Sequence, residues 1–327
     1  MAKRATKSTT GSGGRPPEQL PVDMLDRRRP FTRADAVRAG VDPKVLRTSR
    51  FRRIFRGVYV SAAVPVSPIV KIQAALALHP PEAFASHTSA ADVFGLPVPE
   101  SPDVHVSVLA AADRRPRARL KSHLVPAGAH VATYKGLRVS GPFQMFLELA
   151  SLLHLVDLVV VADAMLRVFD IEAGRLVAEC ARMSGRHAAA ARRAAALARD
   201  GVDSPMETRL RLLIVLAGLP EPTVNHTVRA DDGEMILRFD LSYPELRLAV
   251  EYDGRQHAED DRQWQRDLRR REDLDELGWR IIVVTATGLF RRPEHTLMRI
   301  RKALASRGCS TVPRQLDEAW RCYFPGR

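Results

Sequence analysis

The pattern of apolar and polar positions divides the chain into segments, and the first of them is small and mostly helical. Thr32 and Asp42-Pro43 are signals for the beginning of a helix, and the turn Gly40-Val41 separates the two short helices that they predict. The alternation of side chains over residues 52–60 then predicts a basic hairpin. Helix, tight turn, basic helix and hairpin over residues 21–62 predict a winged helix-turn-helix.

Residues 65–200 mix both periodicities and predict a middle α+β domain. Helical spacing of apolar residues predicts helices over 70–79, 142–153 and 157–169, and alternation predicts a strand over 103–109. An Ala- and Arg-rich helix over 187–199 leads into the last segment. Five histidines in this segment have no metal-ligand spacing, and we expect ordinary core or surface residues: His79, His87, His105, His123 and His130.

Residues 203–307 predict a small α/β sandwich in the order helix, strand, strand, helix, strand, helix. Ser204 begins the first helix with proline at the next position, and Gly218 ends it. The last strand is short and apolar enough to lie buried at the centre of a sheet. The elements expected after the first helix are strands over 235–241, 246–252 and 280–285 and helices over 260–277 and 293–305.

Charge is concentrated near the beginning of the chain. Residues 1–60 hold 15 Lys and Arg against 5 Asp and Glu, so they carry +10 of the net +13. This asymmetry favours a polyanionic partner, nucleic acid before membrane, because each phosphate contact releases counterions. The alternative is an Arg-rich protein without such a partner. Residues 1–20 predict a flexible basic tail, and residues 308–327 predict a C-terminal tail.

The cysteines and the hydrophobic content limit the class of protein. The chain has 327 residues and 45% hydrophobic content, which excludes wholesale disorder and favours two or three domains. Cys180, Cys309 and Cys322 lie far apart along the chain without C-x-x-C spacing, so they indicate neither a disulfide framework nor a zinc site. This fits the reducing cytoplasm, where we expect the protein. We expect neither a signal peptide nor a membrane span, since the most apolar stretch is interrupted by Asp157 and Asp163.

Acidic residues lie on the two consecutive strands predicted in the last segment. Strand side chains alternate between faces, so Glu251 and Asp253 share a face, and we expect Asp240 opposite them. Carboxylates that converge in this way suit Mg²⁺ or Mn²⁺, which prefer oxygen ligands. Such an ion orients a phosphodiester, acidifies a water and stabilises the leaving oxygen. His257, beyond the Gly254 turn, is a candidate to transfer a proton or hold the phosphate.

Each acidic candidate also has a purely structural interpretation. Asp240 and Asp253 are residue types that are common in turns. Glu207 forms an S-x-x-E capping box with Ser204, which competes with a role at a metal ion. Glu251 is harder to explain in this way, because a carboxylate at the end of an apolar strand needs a partner.

Basic residues of the first segment are the candidate DNA contacts. A second helix with Lys44, Arg47 and Arg50 would be the recognition helix in the major groove. A solvated basic helical hairpin is the alternative. The full set of candidates is Arg33, Lys44, Arg47, Arg50, Arg52 and Arg53.

The C-terminal motifs resemble a domain-of-unknown-function family similar to the very-short-patch repair (Vsr-like) endonucleases, within the PD-(D/E)xK restriction-endonuclease fold. The resemblance implies an α/β/α sandwich over residues 203–307, with Asp240 and Glu251 as metal ligands, His257 as the repair-enzyme-like histidine and Glu207 as the acid of the first helix. The usual lysine, two residues after Glu251, is Asp253 here. The motifs that carry the resemblance are Ser204-Pro-Met-Glu207, Arg238-Phe-Asp240, Glu251-Tyr-Asp-Gly254, His257, Asp267-x-x-Arg270 and Leu277-Gly-Trp279-Arg.

The N-terminal segment, Phe31-Thr-Arg-Ala-Asp through Arg56-Gly-Val-Tyr59-Val, resembles the winged-helix beginning of abortive-infection (AbiEi-like) type IV antitoxins. This resemblance implies DNA binding and autoregulation, and it leaves a cognate toxin or another regulatory partner open. The leading interpretation is therefore a protein that binds double-stranded DNA and carries a metal-dependent endonuclease-like domain. The alternative is a non-catalytic transcriptional regulator or antitoxin with a degenerate nuclease fold, and RNA in place of DNA is a third option.

Overall fold

The computed structural model describes residues 25–125, 128–229, 235–254, 274 and 276–326, and it has a mixed α/β architecture. The strands are β1 Phe31–Thr32, β2 Phe51–Phe55, β3 Val58–Ser61, β4 Phe84–Ala85, β5 Val104–Val108, β6 Leu120–Leu124, β7 Val131–Tyr134, β8 Leu137–Ser140, β9 Thr223–Arg229, β10 Met235–Tyr243, β11 Leu248–Asp253 and β12 Arg280–Thr285. The helices are α1 Arg33–Arg38, α2 Pro68–Leu76, α3 His87–Phe94, α4 Pro142–Leu149, α5 Leu155–Phe169, α6 Ala173–Arg182, α7 Ala188–Ala196, α8 Pro205–Leu216 and α9 Pro293–Ser306.

The first sheet has the order β1-β3-β2, and α1 follows its first strand directly. Thr32 caps α1 as predicted: its Oγ1 accepts the N–H of Asp35 at 3.1 Å, and the Asp35 carboxylate accepts the N–H of Thr32 at 2.8 Å. The basic hairpin is confirmed as well. Its strands β2 and β3 pair antiparallel, and Gly57 takes a positive φ of 87° in the turn between them.

The predicted second helix was wrong. Only Val45–Arg47 is helical, as a single turn of 3-10 helix. The Asp42 carboxylate accepts the N–H of Lys44, two residues on, which closes a local turn and does not cap an α-helix. The chain is extended again at Thr48, and β2 begins at Phe51, so too few residues remain for a stable helix. A winged helix-turn-helix is therefore not confirmed.

We expect Thr32→Ala to lower the free energy of unfolding by about 1 kcal/mol, because it removes the cap of α1. Urea denaturation followed by circular dichroism measures the change. Ser49→Ala is the control, since Ser49 is exposed, and it should change the stability by less than about 0.5 kcal/mol. Equal losses in the two variants would contradict the capping role.

The middle sheet has the order β6-β5-β4-β8-β7, and all five residues of β5 are buried. The predicted strand over 103–109 and the helices over 70–79, 142–153 and 157–169 are confirmed with shifted ends. Four strands of this sheet were not predicted. The reason is local: β4 has two residues, and polar side chains interrupt the apolar alternation of β6 at Lys121, Ser122 and His123.

The last sheet has the order β12-β11-β10-β9, with β12 parallel to β11. The predicted strands β10, β11 and β12 are confirmed, whereas β9 was not predicted. The expectation that β12 lies at the centre was wrong, because within the four described strands it is at the edge. Ile282 and Val284 are buried, but Val283 is 44% exposed. The helix predicted over 260–277 lies almost wholly outside the described residues.

One continuous apolar core runs through the described parts of the chain. It contains residues from Phe55 to Phe324 and crosses the predicted boundary between the middle and last segments. Trp320 and Phe324 are fully buried in it, so the prediction of a C-terminal tail over 308–327 was wrong for these positions. Burial of two large aromatic side chains fixes the segment that carries them. Among the described helices, none combines the length and the apolar character needed to cross a membrane.

Candidate active site

Asp240 and Glu251 lie side by side on β10 and β11. The register pairs Leu241 with Val250, and its continuation by one position places Asp240 opposite Glu251. The N–H of Tyr252 donates to Oδ2 of Asp240 at 3.0 Å, which fixes the Asp240 carboxylate against the end of β11. Both acidic side chains are half-buried. The structure therefore brings together the two acids that the sequence singled out.

A local distortion accompanies Asp240 in the sheet. On β9, Val224 and His226 pair with Leu241 and Phe239, so Asn225 occupies the position beside Asp240. Asn225 has a φ of +49°, a left-handed conformation that asparagine tolerates better than most residues. Its side-chain amide donates to the carbonyl of Gly201 and lies 3.5 Å from Oε2 of Glu207. Asn225 thus connects the strand beside Asp240 to the beginning of α8.

Glu207 is a buried acid in the first turn of α8. Its N–H donates to Oγ of Ser204 at 3.2 Å, as predicted for the capping box. Its carboxylate accepts the backbone N–H of Asp203 at 3.1 Å, and a hydrogen bond from the side chain of Ser204 also stabilises its charged form. Burial raises the pKa of Glu207, and the negative charge of Asp240 raises that pKa further. Ser204 therefore caps α8, and the Glu207 carboxylate holds the residue before the cap and lies within electrostatic reach of Asp240.

These carboxylates come from three elements, and their chemistry fits a hard divalent cation. Like charges at Glu207 and Asp240 disfavour each other, and a cation would relieve that cost. Mg²⁺ binds through one or two carboxylates and keeps several waters, so Asp240 and Glu251 suffice as protein ligands. Among the described residues, these acids do not form a group of three converging ligand atoms. With two carboxylate ligands, the remaining positions of such an ion would be left to water.

The structure describes only some of the other predicted site residues. Asp253 ends β11, in register with Thr285 of β12. His257, Asp267 and Arg270 lie outside the described residues. Arg238, two residues before Asp240, forms an ion pair with Asp203, the residue that donates its N–H to Glu207.

The six basic residues predicted to contact DNA are all exposed. Arg33 begins α1, and Arg52 and Arg53 are neighbours on β2, an edge strand of its sheet. The remaining three, Lys44, Arg47 and Arg50, lie on the short connection that replaces the predicted recognition helix. They form a basic surface without a helix to enter the major groove.

Sequence reasoning missed two groups of residues. Asn225 was missed because β9 was not predicted, and a left-handed asparagine has no local signature. The histidines of the middle segment were expected to be ordinary core or surface residues, and the sequence did not predict that His87, His105 and His123 meet in space. Their positions along the chain could not reveal this, because they come from α3, β5 and β6.

Part of this chain is similar to known protein sequences. Residues 223–304 match the model of the family REase_MTES_1575, a restriction-endonuclease-like domain family. Two proteins of Mycobacterium tuberculosis, from strains CDC 1551 / Oshkosh and ATCC 25618 / H37Rv and both named uncharacterized, are each 29% identical over 191 residues. These residues make up 58% of this chain and 70% of each relative. The matched range includes Asp240 and Glu251 but begins after Glu207. The C-terminal part of this chain is therefore similar to restriction-endonuclease-like domains, which suggests a nuclease-type function.

Proposed function

We propose that this chain binds double-stranded DNA and that its C-terminal domain, residues 203–307, hydrolyses phosphodiester bonds with a divalent metal ion. The observation that carries the proposal is that the paired strands β10 and β11 hold Asp240 and Glu251, with the N–H of Tyr252 donating to the Asp240 carboxylate. That pair lies inside the range that is similar to restriction-endonuclease-like domains. The buried carboxylate of Glu207, coupled electrostatically to Asp240, supports the same assignment.

The chain's own residues have distinct tasks in this proposal. Asp240 and Glu251 would hold Mg²⁺ or Mn²⁺, which supplies an acidified water and charge stabilisation at the phosphate when bound. The N–H of Tyr252 keeps the Asp240 carboxylate in position for this task. Asn225 and Asp203 hold Glu207, whose negative charge strengthens the attraction of a cation. His257 is the proposed residue for proton transfer or for phosphate binding.

Asp253 favours a second candidate function. It stands where the resembling fold uses a lysine, so an anion replaces the cation that would polarise water or hold the phosphate. A non-catalytic regulator or antitoxin that retains the fold and binds DNA would tolerate this exchange. In the enzyme, His257, an arginine or a second metal ion would have to supply the missing positive charge.

The direct test of the function is incubation of the purified chain with supercoiled plasmid. We expect nicked or linear products with Mg²⁺ or Mn²⁺ and none with EDTA. If the chain binds the duplex tightly and leaves it intact with both ions, the regulator is the better account. Products that persist in EDTA would contradict a metal-dependent mechanism.

We also expect the basic edge strand β2 to contact DNA phosphates. The double variant Arg52→Ala/Arg53→Ala should weaken binding at every sequence. The negative slope of log K against log salt should become less steep by about 2. Fluorescence anisotropy of a labelled duplex over a series of salt concentrations measures this slope. The control is Arg186→Ala/Arg193→Ala, which removes two exposed arginines near α7. An equal change of slope in the control would refute a specific role for β2.

A further inference from the structure

Three histidines meet in the middle sheet, far along the chain from the acidic residues of β10 and β11. His105 lies on β5 and His123 on the parallel strand β6, one pleat further along the same face, because Ser107 is in register with His123. His87 is the first residue of α3, which packs on β5. Its ring lies over that of His123, with centroids 3.9 Å apart, and 5.2 Å from that of His105.

The nitrogen atoms of the three rings are close enough to share one ion. One ring nitrogen from each residue lies within 4.8 Å of the other two. Nδ1 of His105 and Nε2 of His123 are 2.9 Å apart. Tetrahedral zinc with bonds of about 2.0–2.1 Å needs nitrogen atoms about 3.3 Å apart, which is close to the separation of these two atoms. The rings are stacked nearly parallel, so ligation requires them to tilt toward a common point.

Two sets of contacts fix His87, one to its ring and one to its backbone. Nδ1 of His87 lies 3.1 Å from Oγ of Ser86, which leaves Nε2 for a ligand bond. The carboxylate of Glu148, buried on α4, accepts the backbone N–H of His87 at 3.0 Å and the hydroxyl of Ser140 at 2.7 Å. His87 has a φ of +51°, which costs energy for a residue with a side chain. These contacts keep His87 in that conformation over the two strands.

The environment of the cluster also matches ligation. Burial lowers the pKa of His87 to about 2 and that of His105 to about 4, and repulsion from the neighbouring histidines adds to both shifts. Neutral imidazole is the form that binds a metal. The hydroxyl of Ser107 is buried beside His123 without a hydrogen-bond partner among the described residues. His87 and His105 are buried, whereas His123 is half-exposed, so the cluster is open to solvent on one side.

We propose that His87, His105 and His123 bind a zinc-class divalent transition metal ion, with a fourth position open on the side of His123. Three imidazoles select a borderline ion such as Zn²⁺ over Mg²⁺, which requires oxygen ligands. Arg114 and Lys121 lie near enough to act electrostatically on His123, so water, hydroxide or a small anion suits the fourth position. The ion would connect α3, β5 and β6. This site is independent of the proposed nuclease chemistry.

Metal content after stripping and refilling is the test. The full chain is treated with a chelator, dialysed, supplied with ZnCl₂ in excess Mg²⁺ and dialysed again, and zinc is then measured by elemental analysis. We expect about one zinc ion per chain, held against Mg²⁺, and a higher unfolding temperature than for the stripped protein. Substitution by Co²⁺ should give the visible absorption of a tetrahedral ion with nitrogen ligands.

Matched variants locate the zinc. His123→Gln, at the half-exposed ligand, should weaken zinc binding at least about tenfold with an unchanged circular dichroism spectrum. Ser86→Ala should weaken it by roughly 10- to 100-fold through loss of the partner of Nδ1. His226→Gln removes a half-buried histidine from β9, and Asp240→Asn changes the acidic site; both should retain the zinc. The proposal is overturned if the stripped wild type takes up no zinc, if His123→Gln binds it like the wild type, or if Asp240→Asn loses it.

Discussion

Asp163→Ala should lower the free energy of unfolding by about 3–5 kcal/mol, because it leaves a buried guanidinium without its main counter-charge. Arg211 of α8 is fully buried, and its Nη2 lies 2.9 Å from Oδ2 of Asp163 on α5. The same carboxylate accepts the hydroxyl of Thr208 at 2.8 Å and the backbone N–H of Arg199 at 2.8 Å. The pair joins the predicted middle domain to the first helix of the predicted nuclease-like domain. Urea unfolding of both proteins measures the loss.

A second ion pair between the same two helices provides the control. Asp157 of α5 and Arg209 of α8 are 2.6 Å apart, but their side chains are 25% and 23% exposed. Water screens this pair, so Asp157→Ala should cost no more than about 1 kcal/mol. Equal losses in the two variants would contradict the central role of the buried pair. We also expect a single unfolding transition for α5 and α8, since one core contains both helices.

Asp240→Asn should lower the rate of plasmid nicking at least about 100-fold, because it removes an anionic ligand at the point where charge develops on the phosphate. Asparagine has nearly the same shape, and its carbonyl oxygen can still accept the N–H of Tyr252. The fold should therefore persist. Glu251→Gln should have an effect of similar size. Initial rates of conversion from supercoiled to nicked plasmid measure both.

Glu245→Gln is the matched control for these variants. Glu245 is an exposed acid in the short 3-10 turn Pro244–Leu246, between the two strands that carry Asp240 and Glu251. The substitution Glu245→Gln removes one negative charge from the same hairpin but leaves the proposed metal site unchanged. We expect its nicking rate to match that of the wild type within about a factor of two. A loss equal to that of Asp240→Asn would mean that the total charge of the hairpin matters, and not the site.

Local sequence patterns predicted those parts of the fold that local physics decides. Thr32 caps α1, and apolar alternation locates β10 and β11, because a cap and a pleat act over a few residues. The prediction of a second N-terminal helix was wrong although its local start signals are present, because β2 begins at Phe51 and leaves too few residues for a helix. The position of β12 at the sheet edge depends on which strands pair, and the apolar run in 280–285 does not contain that information.

The residues of the candidate site also differ in whether local sequence could predict them. Asp240 and Glu251 could be predicted because they lie on consecutive antiparallel strands, whose register follows from the short turn between them. The two roles of Glu207 could not be separated from the sequence, since the same carboxylate accepts the N–H of Asp203 at the start of α8 and lies within electrostatic reach of Asp240. Asn225 and the three histidines required the tertiary structure, because each acts on elements distant along the chain.

Single-turnover cleavage of a labelled duplex, with the bound fraction determined in the same samples, separates DNA binding from DNA hydrolysis. We expect the wild type to cleave bound DNA with Mg²⁺ or Mn²⁺, and Asp240→Asn to bind the duplex equally well but to leave it intact. Bound DNA that the wild type leaves intact with both ions, or cleavage by Asp240→Asn at the wild-type rate, would contradict this expectation.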